Sequence, residues 1–471
     1  MSGRSARTVR EPSTKYIAEM TNAPRGLPLA IGLALIQSVV AQSVRVEVGR
    51  AERAAVLGLD AQLRALRVGK GAFAVRGPGE AAPAARADVA IEVVWSEPAK
   101  DPKKGFAPAK VASTDPARAQ RWLAAALAGE GEYAEVGAVA AMPAVAAGDG
   151  GAAPMRLRLE FVTPKTGHSK ARQFRHARKV VASALTDLGM LPASSAATNA
   201  TPPTTATTTA STTTAPTAAS PWPPGFPAEP TIALYDAEGA GGTGCENLER
   251  VVDATTLGHR LLPVCPEDIR DGGLRGLAGV VFPGGSGGGI AKALQPAGVA
   301  AVRTFVDGGG GYVGICAGAY LAGAGMKTYA ALVPWQHTQP WAKGQSTLAV
   351  TLTDEGKRLL GSEFATFQTR YHNGPVFPDV LGQSQKAGAR TQPQPLAAFA
   401  SASKDKKGVV HEDMVGAPAI VADVAGKGRV LLISPHPESH EQLDVLVARA
   451  IGWTLGLAPA KVARKAAAAG R

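Results

Sequence analysis

Residues 310–322, Gly-Gly-Tyr-Val-Gly-Ile-Cys-Ala-Gly-Ala-Tyr-Leu-Ala, constrain the fold of this chain more than any other stretch. Tyr312, Val313 and Ile315 read as the end of a short buried strand, and Ala317 through Ala322 as the first turns of a helix made of small residues. Cys316 then stands on the corner between them, where a sharp strand-to-helix turn exposes its side chain. Gly314 and Gly318 lack a Cβ, so the backbone is free to take the strained conformation such a corner needs. The corner is also a helix N-terminus, where unpaired N–H groups and the helix dipole favour thiolate over thiol. Gly-x-Cys-x-Gly is the cysteine counterpart of the Gly-x-Ser-x-Gly elbow. A small buried cysteine in a glycine-rich packing site is the alternative for any isolated motif of this kind, and the surrounding pattern decides against it.

That pattern begins at Pro230. Strands at 231–235, 260–264, 279–282, 311–315 and 429–433 alternate with helices at 246–255, 290–306 and 441–455, and shorter strands are expected at 348–352, 367–371, 396–400, 408–411 and 419–422. Such alternation implies an α/β fold with a doubly wound, mostly parallel sheet, whose sites gather at the carboxyl ends of strands. Residues 42–192 form a second, separate α/β region, with strands at 43–48, 88–95 and 156–162 and helices at 53–66, 117–127 and 169–188. The last helix carries Lys170, Arg172, Arg175, His176, Arg178 and Lys179; it reads as a solvated face, with a phosphate- or membrane-surface-binding helix as the alternative. Between the two regions, residues 193–229 are built of Ala, Thr, Ser and Pro and hold too little apolar surface to offset the entropy of ordering, so they read as a disordered linker.

Charge is uneven. The formal net charge is +12, yet residues 229–457 carry 19 Lys+Arg against 21 Asp+Glu while residues 1–228 carry 27 against 17. The remaining excess lies in an Ala-rich basic tail, 458–471, with Lys461, Arg464, Lys465 and Arg471. No aromatic side chains interleave with these cations, which reads as solvated surface and not as a nucleic-acid footprint. Residues 27–41 form an apolar run after Arg25, of signal-peptide length and short of the roughly 20 residues a membrane span needs. Val39 and Ala41 fit cleavage after Ala41, and initiation at Met20 would give a more ordinary leader. Export, to a periplasmic or secreted location, is the expectation for a segment 1–41 of this kind, with a cytoplasmic protein as the alternative; membrane contact is expected only if the segment stays uncleaved.

Three strand ends in residues 230–457 carry chemistry. Phe282 is followed by Pro-Gly-Gly-Ser-Gly-Gly-Gly, a loop whose backbone N–H groups can face an oxyanion but which lacks the Lys-Ser/Thr ending of a phosphate loop. Cys316 ends the next strand, and Ile433 is followed by Ser-Pro-His-Pro-Glu. Gly-Ile-Cys-Ala-Gly with His-Pro-Glu resembles the class I glutamine amidotransferase-like superfamily. Four motifs in order (Pro-Gly-Gly-Ser-Gly, the elbow, Tyr-His-Asn-Gly-Pro at 371–375 and Ser-Pro-His-Pro-Glu) look more narrowly like the domain at the N-terminus of biotin-protein ligases, over about half of the chain. The resemblance implies a flavodoxin-like sheet with Cys316 as nucleophile, His436 as general base and Glu438 as the group that orients the imidazole.

The chemistry of those residue types fits the roles. A thiol attacking an amide carbonyl needs a base that takes its proton and returns it to the leaving amine, which an imidazole can do, and a carboxylate past a rigid proline can fix the ring's tautomer. Backbone N–H groups of Gly285 and Ala317 are expected to meet the oxyanion, and Gly284, Ser286, Tyr320, His372 and Asn373 are further candidates for the oxyanion or substrate site, His372 reading equally well as a hydrogen-bonded loop residue. Tyr320 stands where glutamine-using relatives commonly carry Gln, which speaks against glutamine as substrate, and no biotin-ligase catalytic region is recognisable. In a related protease-like branch an acid after the first strand touches the cysteine, which makes Asp236 and Glu238 alternative acids. No metal cluster or cofactor motif is expected, and the partner implied is a small-molecule or peptide-like amide. A binding or regulatory module that keeps the elbow without turnover, or a cell-envelope interaction protein, is the competing reading. In an exported chain, Cys245 and Cys265 are the pair that could bridge without using Cys316.

Overall fold

The computed structural model describes residues 43–49, 53–64, 66, 68, 72–77, 87–96, 106–135, 137–144, 153–162, 170–192, 230–335, 339–340, 342–377 and 393–466. The apolar run at 27–41, the linker at 193–229 and the last residues of the basic tail lie outside them.

The larger sheet is built from β7 (Thr231–Tyr235), β8 (Arg260–Val264), β9 (Gly279–Phe282), β10 (Gly311–Ile315), β11 (Gln345–Leu352), β12 (Thr366–His372), β13 (Gln394–Phe399), β16 (Pro418–Ala425) and β17 (Gly428–Ile433); β14 (Ser403–Lys404) and β15 (Val410–His411) form a small ribbon beside it. Their order in the sheet is β12-β11-β13-β16-β17-β10-β9-β7-β8. The half from β17 to β8 is parallel, and the other half is antiparallel. The expectation of a mostly parallel sheet is therefore met on one side only. The reason is connection length: β16 and β17 are joined by a tight turn at Gly426 (φ 59°), and a two-residue hairpin can join only antiparallel strands.

Helices α4 (Gly242–Ala254), α5 (Pro266–Arg270), α6 (Gly287–Asp307), α7 (Ala317–Ala322), α8 (Asp354–Leu360) and α9 (Asp444–Thr454) pack around this sheet. Both faces of the parallel half are buried. Tyr235, Phe282 and Tyr312 point into one core with α6 and α7, while Ile232, Leu234, Val313 and Ile315 point into the other with α4 and α9. The near-continuous apolar character of these strands follows from that double burial.

The front region holds β1 (Ser43–Val48), β2 (Ala72–Arg76), β3 (Val89–Ser96), β4 (Lys110–Ser113), β5 (Ala140–Ala141) and β6 (Met155–Val162), with α1 (Arg53–Arg64), α2 (Pro116–Leu127) and α3 (Ala171–Asp187). The sheet order is β2-β1-β3-β6-β4-β5. It is parallel except where β4 meets β6. Residues Gln42–Arg471 make one compact unit, because α1 and α3 sit against the edge of the larger sheet. Gln62 of α1 donates to the Pro263 carbonyl of β8 at 2.7 Å, and Ala61 and Ala171 enter the same apolar core as Ile269 of α5.

This packing corrects the reading of α3 as a solvated or phosphate-binding face. Phe174, Ala177, Val181 and Leu185 enter the front core, while Arg172, Arg175 and Arg178 are buried against acids of α5 and nearby loops and, for Arg175, against Glu130 of the front region as well. Arg175 bonds Asp268 and Asp271, both at 2.8 Å, together with Glu130, and Arg178 bonds Asp268 at 2.9 Å. Arg172 Nη2 donates to both Glu267 carboxylate oxygens, at 2.8 and 2.9 Å, and Arg172 also pairs with Glu238 and lies over the Tyr133 ring. Its charges face inward because partners from distant parts of the chain neutralise them.

Candidate functional site

Cys316 sits at φ 48°, ψ −97°, a conformation that costs a non-glycine residue of order 1–3 kcal/mol. Two glycines enforce it. A Cβ at Gly314 would lie 2.5 Å from the Gly318 backbone, and one at Gly318 only 2.2 Å from the Phe282 carbonyl oxygen, so the helix can turn back onto β9 and β10 only with hydrogen at both positions. Tyr312 clamps the turn from below by donating its hydroxyl to the Gly318 carbonyl at 2.7 Å. It stacks on Phe282, which stacks on Tyr235, with centroids 5.5 and 5.1 Å apart. The corner is less open than expected: Cys316 is 4% exposed, and its thiol donates to the His372 carbonyl at 3.4 Å, from the end of β12.

The neighbouring strand β17 delivers the second part. Beyond Ile433, the Ser434 hydroxyl donates to the Pro375 carbonyl at 2.8 Å, and the His436 N–H donates to the Arg370 carbonyl at 2.7 Å, which ties this turn to β12. His436 Nδ1 lies 2.8 Å from Glu438 Oε1. A carboxylate can only accept, so Nδ1 carries the proton and Nε2 is left for other chemistry. Burial alone would lower the histidine's pKa, but the Glu438 carboxylate and the facing Cys316 side chain push it up to about 10. Arg250 holds the Glu438 carbonyl at 2.6 Å and is itself anchored on Asp444.

The glycine loop after β9 completes the wall. A Cβ on Gly284 would lie 2.4 Å from His436 Cε1, so this glycine makes room for the ring. Gly285 has φ 143° and pairs with Ala240 across two bonds, Gly241 N–H to the Gly284 carbonyl and Ser286 N–H to the Gly239 carbonyl, a pattern that turns the Gly285 N–H away from that partner. Ser286 is a helix cap: its hydroxyl accepts from Gly289 N–H at 3.1 Å. Ala317 is the first residue of α7, next to the sulfur.

A cavity of about 660 Å³ opens over these groups. Gly284, Gly285, Cys316, Tyr320, His372, Asn373, His436 and Glu438 all line it. The Tyr320 hydroxyl donates to the Asn373 carbonyl at 3.1 Å, and the Asn373 side chain accepts from Gly344 N–H at 2.7 Å, so both are held in place. Asp236 and Glu238 lie elsewhere. Asp236 is buried and accepts from the Lys170 N–H at 3.1 Å, and Glu238 is taken by Arg172 and by the Tyr133 hydroxyl at 3.2 Å. All three cysteines are free thiols. Cys245 donates to the Tyr235 carbonyl at 3.6 Å and Cys265 to Asp268 at 3.3 Å, and burial pushes both thiols well up. Among the described residues no group of three or more His, Cys, Asp or Glu is placed to hold a metal ion. The cavity also takes Lys343, Arg370 and Lys406 from the antiparallel side of the sheet, and Thr243 and Asn247 from α4. No local motif marks these five in the sequence.

The fold and this site define an α/β protein with a parallel-rich sheet and a cysteine on a strand-to-helix elbow. Residues 274–330 match the family described as "Biotin-protein ligase, N terminal"; the match takes in the glycine loop and the elbow and ends before His436. The structure is similar to a cytoplasmic protein from Salmonella typhimurium LT2 (11% identity, 48% of this chain and 98% of that chain, TM-score 0.33). It is similar as well to a ThuA-like protein from Bacteroides uniformis (15%, 50% and 98%, TM-score 0.32) and to a β-galactosidase from Bacillus circulans (13%, 49% and 32%, TM-score 0.30). No curated protein matches the chain. No helix among the described residues is long and apolar enough to cross a membrane.

Proposed function

We propose that residues 230–457 form a cysteine-nucleophile domain of the class I glutamine amidotransferase-like kind, flavodoxin-like in its parallel half, which hydrolyses or transfers an amide or related acyl group. The observation that carries this reading is the convergence on one cavity of a cysteine held at positive φ and a buried imidazole whose far nitrogen is bonded to a carboxylate. A cysteine held at positive φ is an unusual feature in a protein that only binds, because that backbone strain costs stability.

In the reaction the Cys316 S–H proton passes to His436 Nε2, the sulfur attacks the carbonyl carbon, and a C–S bond forms as the carbonyl becomes an oxyanion. The N–H groups of Gly285 and Ala317 have no hydrogen-bond partner among the described residues and are the donors assigned to that oxygen. His436 gives its proton to the amine as the C–N bond breaks, leaving a thioester. Water, deprotonated by the same ring, then cleaves the thioester to the acid and the free thiol. Glu438 keeps the ring oriented and stabilises its charged form. Tyr320 at the pocket wall supports an acyl group other than glutamine. The apolar run at 27–41 supports export of the chain.

Limited iodoacetamide treatment of native protein, followed by peptide mapping, tests the nucleophile. Cys316 should be alkylated first, and His436→Ala should slow it at least tenfold, with a smaller loss in Glu438→Gln. Release of ammonia or amine from a panel of small amides, abolished by Cys316→Ala, would establish turnover. Alkylation indifferent to both substitutions would leave the elbow as a structural feature only.

A further inference from the structure

The cavity over Cys316 carries an imbalance of charge that the triad does not explain. Three permanent cations line it, Lys343, Arg370 and Lys406, and the single carboxylate in its wall is Glu438, already bonded to His436. Among the described residues none of the three cations has a carboxylate partner. Arg370 reaches only neutral acceptors, His372 Nδ1 at 3.0 Å and Gln345 Oε1 at 3.4 Å. Lys343 and Lys406 are joined through their backbones, Lys406 N–H donating to the Lys343 carbonyl at 3.1 Å, which keeps the two side chains on one rim.

The buried arginines Arg172, Arg175 and Arg178, and the part-buried Arg250 and Arg449, are by contrast each matched with carboxylates. The positive field is felt by His372, whose pKa is lowered by burial and by Arg370, His436 and Lys406. The N-terminus of α4 opens on the same space through Gly241, Thr243 and Gly244, and no side chain caps it. Cations gathered without counter-charges repel one another, and in a concave wall they focus field on whatever enters.

We infer that the substrate class is anionic: an acyl compound carrying a carboxylate or phosphate that Lys343, Lys406 and Arg370 hold while its carbonyl lies over Cys316. This deepens the proposed function and rests on it. Arg370 offers a planar fork suited to either anion, and the two lysines add point charges. Because the oxyanion donors are backbone N–H groups, the three side chains are left to select and orient the remote end of the substrate.

Two reagents of nearly the same size test this, since iodoacetate is an anion and iodoacetamide is neutral. With both, the sulfur displaces iodide and a C–S bond forms. The quantity measured is the ratio of the two alkylation rates at Cys316 in the full chain. His436 alone would favour the anion to some degree, so the decisive comparison keeps His436 and changes the rim. In wild-type protein the ratio should exceed that of a free thiol and fall with added salt. In the double variant Lys343→Gln, Lys406→Gln it should drop at least fivefold, and Arg370→Gln should lower it separately. Protection of Cys316 by succinate but not by inorganic phosphate would mark a carboxylate, and the reverse a phosphate. A ratio unmoved by the rim variants, with no protection by either anion, overturns the anionic substrate while leaving the nucleophile in place. Failure of both reagents to alkylate Cys316 would instead remove the nucleophile, and the substrate claim with it.

Discussion

Gly284 holds the site in place as firmly as Cys316 does. Its missing side chain is what lets the His436 ring lie where it does, since a Cβ would come within 2.4 Å of Cε1. Gly284→Ala should therefore push the ring aside and slow Cys316 alkylation at least tenfold. Gly318→Ala meets a backbone carbonyl at 2.2 Å that has no room to give, so it should cost about 1–3 kcal/mol of stability in addition, read as a lowered denaturant midpoint. The contrast between the two separates a ring position from a turn position. His436 has its own pH signature. Its folded pKa of about 10 lies above the ordinary 6.5, so the charged ring's contribution to stability is full below pH 6.5 and is lost as pH rises through about 10. The stability difference between wild type and His436→Gln should shrink across that window. A difference that grew with pH would mean the ring is held neutral.

At the scale of elements, the elbow is a strand and a helix fastened by one tyrosine. Tyr312→Phe keeps the stack on Phe282 but frees the Gly318 carbonyl, which should cost about 1 kcal/mol in unfolding by urea and reduce Cys316 alkylation severalfold. The parallel strands were legible from sequence, because β7, β9, β10 and β17 are short apolar runs bounded by Gly or Pro and buried on both faces. So were the corner at Cys316 and the His-Pro-Glu turn, since each is a local arrangement of a few residues. What was not legible depends on residues distant in sequence. The Cys316 thiol is bonded by the His372 carbonyl, 56 residues away, and the cations of the cavity come from two loops and one strand of the antiparallel half. The basic helix α3 misled for the same reason: a row of Arg and Lys at helical spacing looks identical whether it faces water or faces acids 90 and more residues away.

Gln42–Arg471 is one compact unit, and where α3 meets the larger sheet the contact is largely ionic beside a small apolar patch. Such an interface is worth little as a net gain over apolar packing, yet breaking one partner leaves an uncompensated buried charge. Asp268 is the centre, fully buried and bonded by both Arg175 and Arg178. Asp268→Asn should destabilise by about 3–5 kcal/mol, far more than Asp354→Asn, whose carboxylate is exposed and paired with Lys357 three residues on. The same network sets an acid limit. Burial alone would raise the Asp268 and Glu130 carboxyls. For Asp268 the Arg175 and Arg178 charges outweigh burial, and for Glu130 the His176 ring 3.4 Å away, with Arg175 and Lys179, does so, and both are held below their ordinary range. Carboxylates depressed in this way contribute stability that is complete above the unfolded carboxylate pKa, near pH 4, and is lost as pH falls further. In acid titration the contact between the front sheet and the larger sheet should therefore open first. Hydrogen exchange would read it as early loss of protection in α3 and α5, with β10 and β17 still protected. Simultaneous loss across α3 and β10 would mean that the ionic layer is no weaker than the cores it joins.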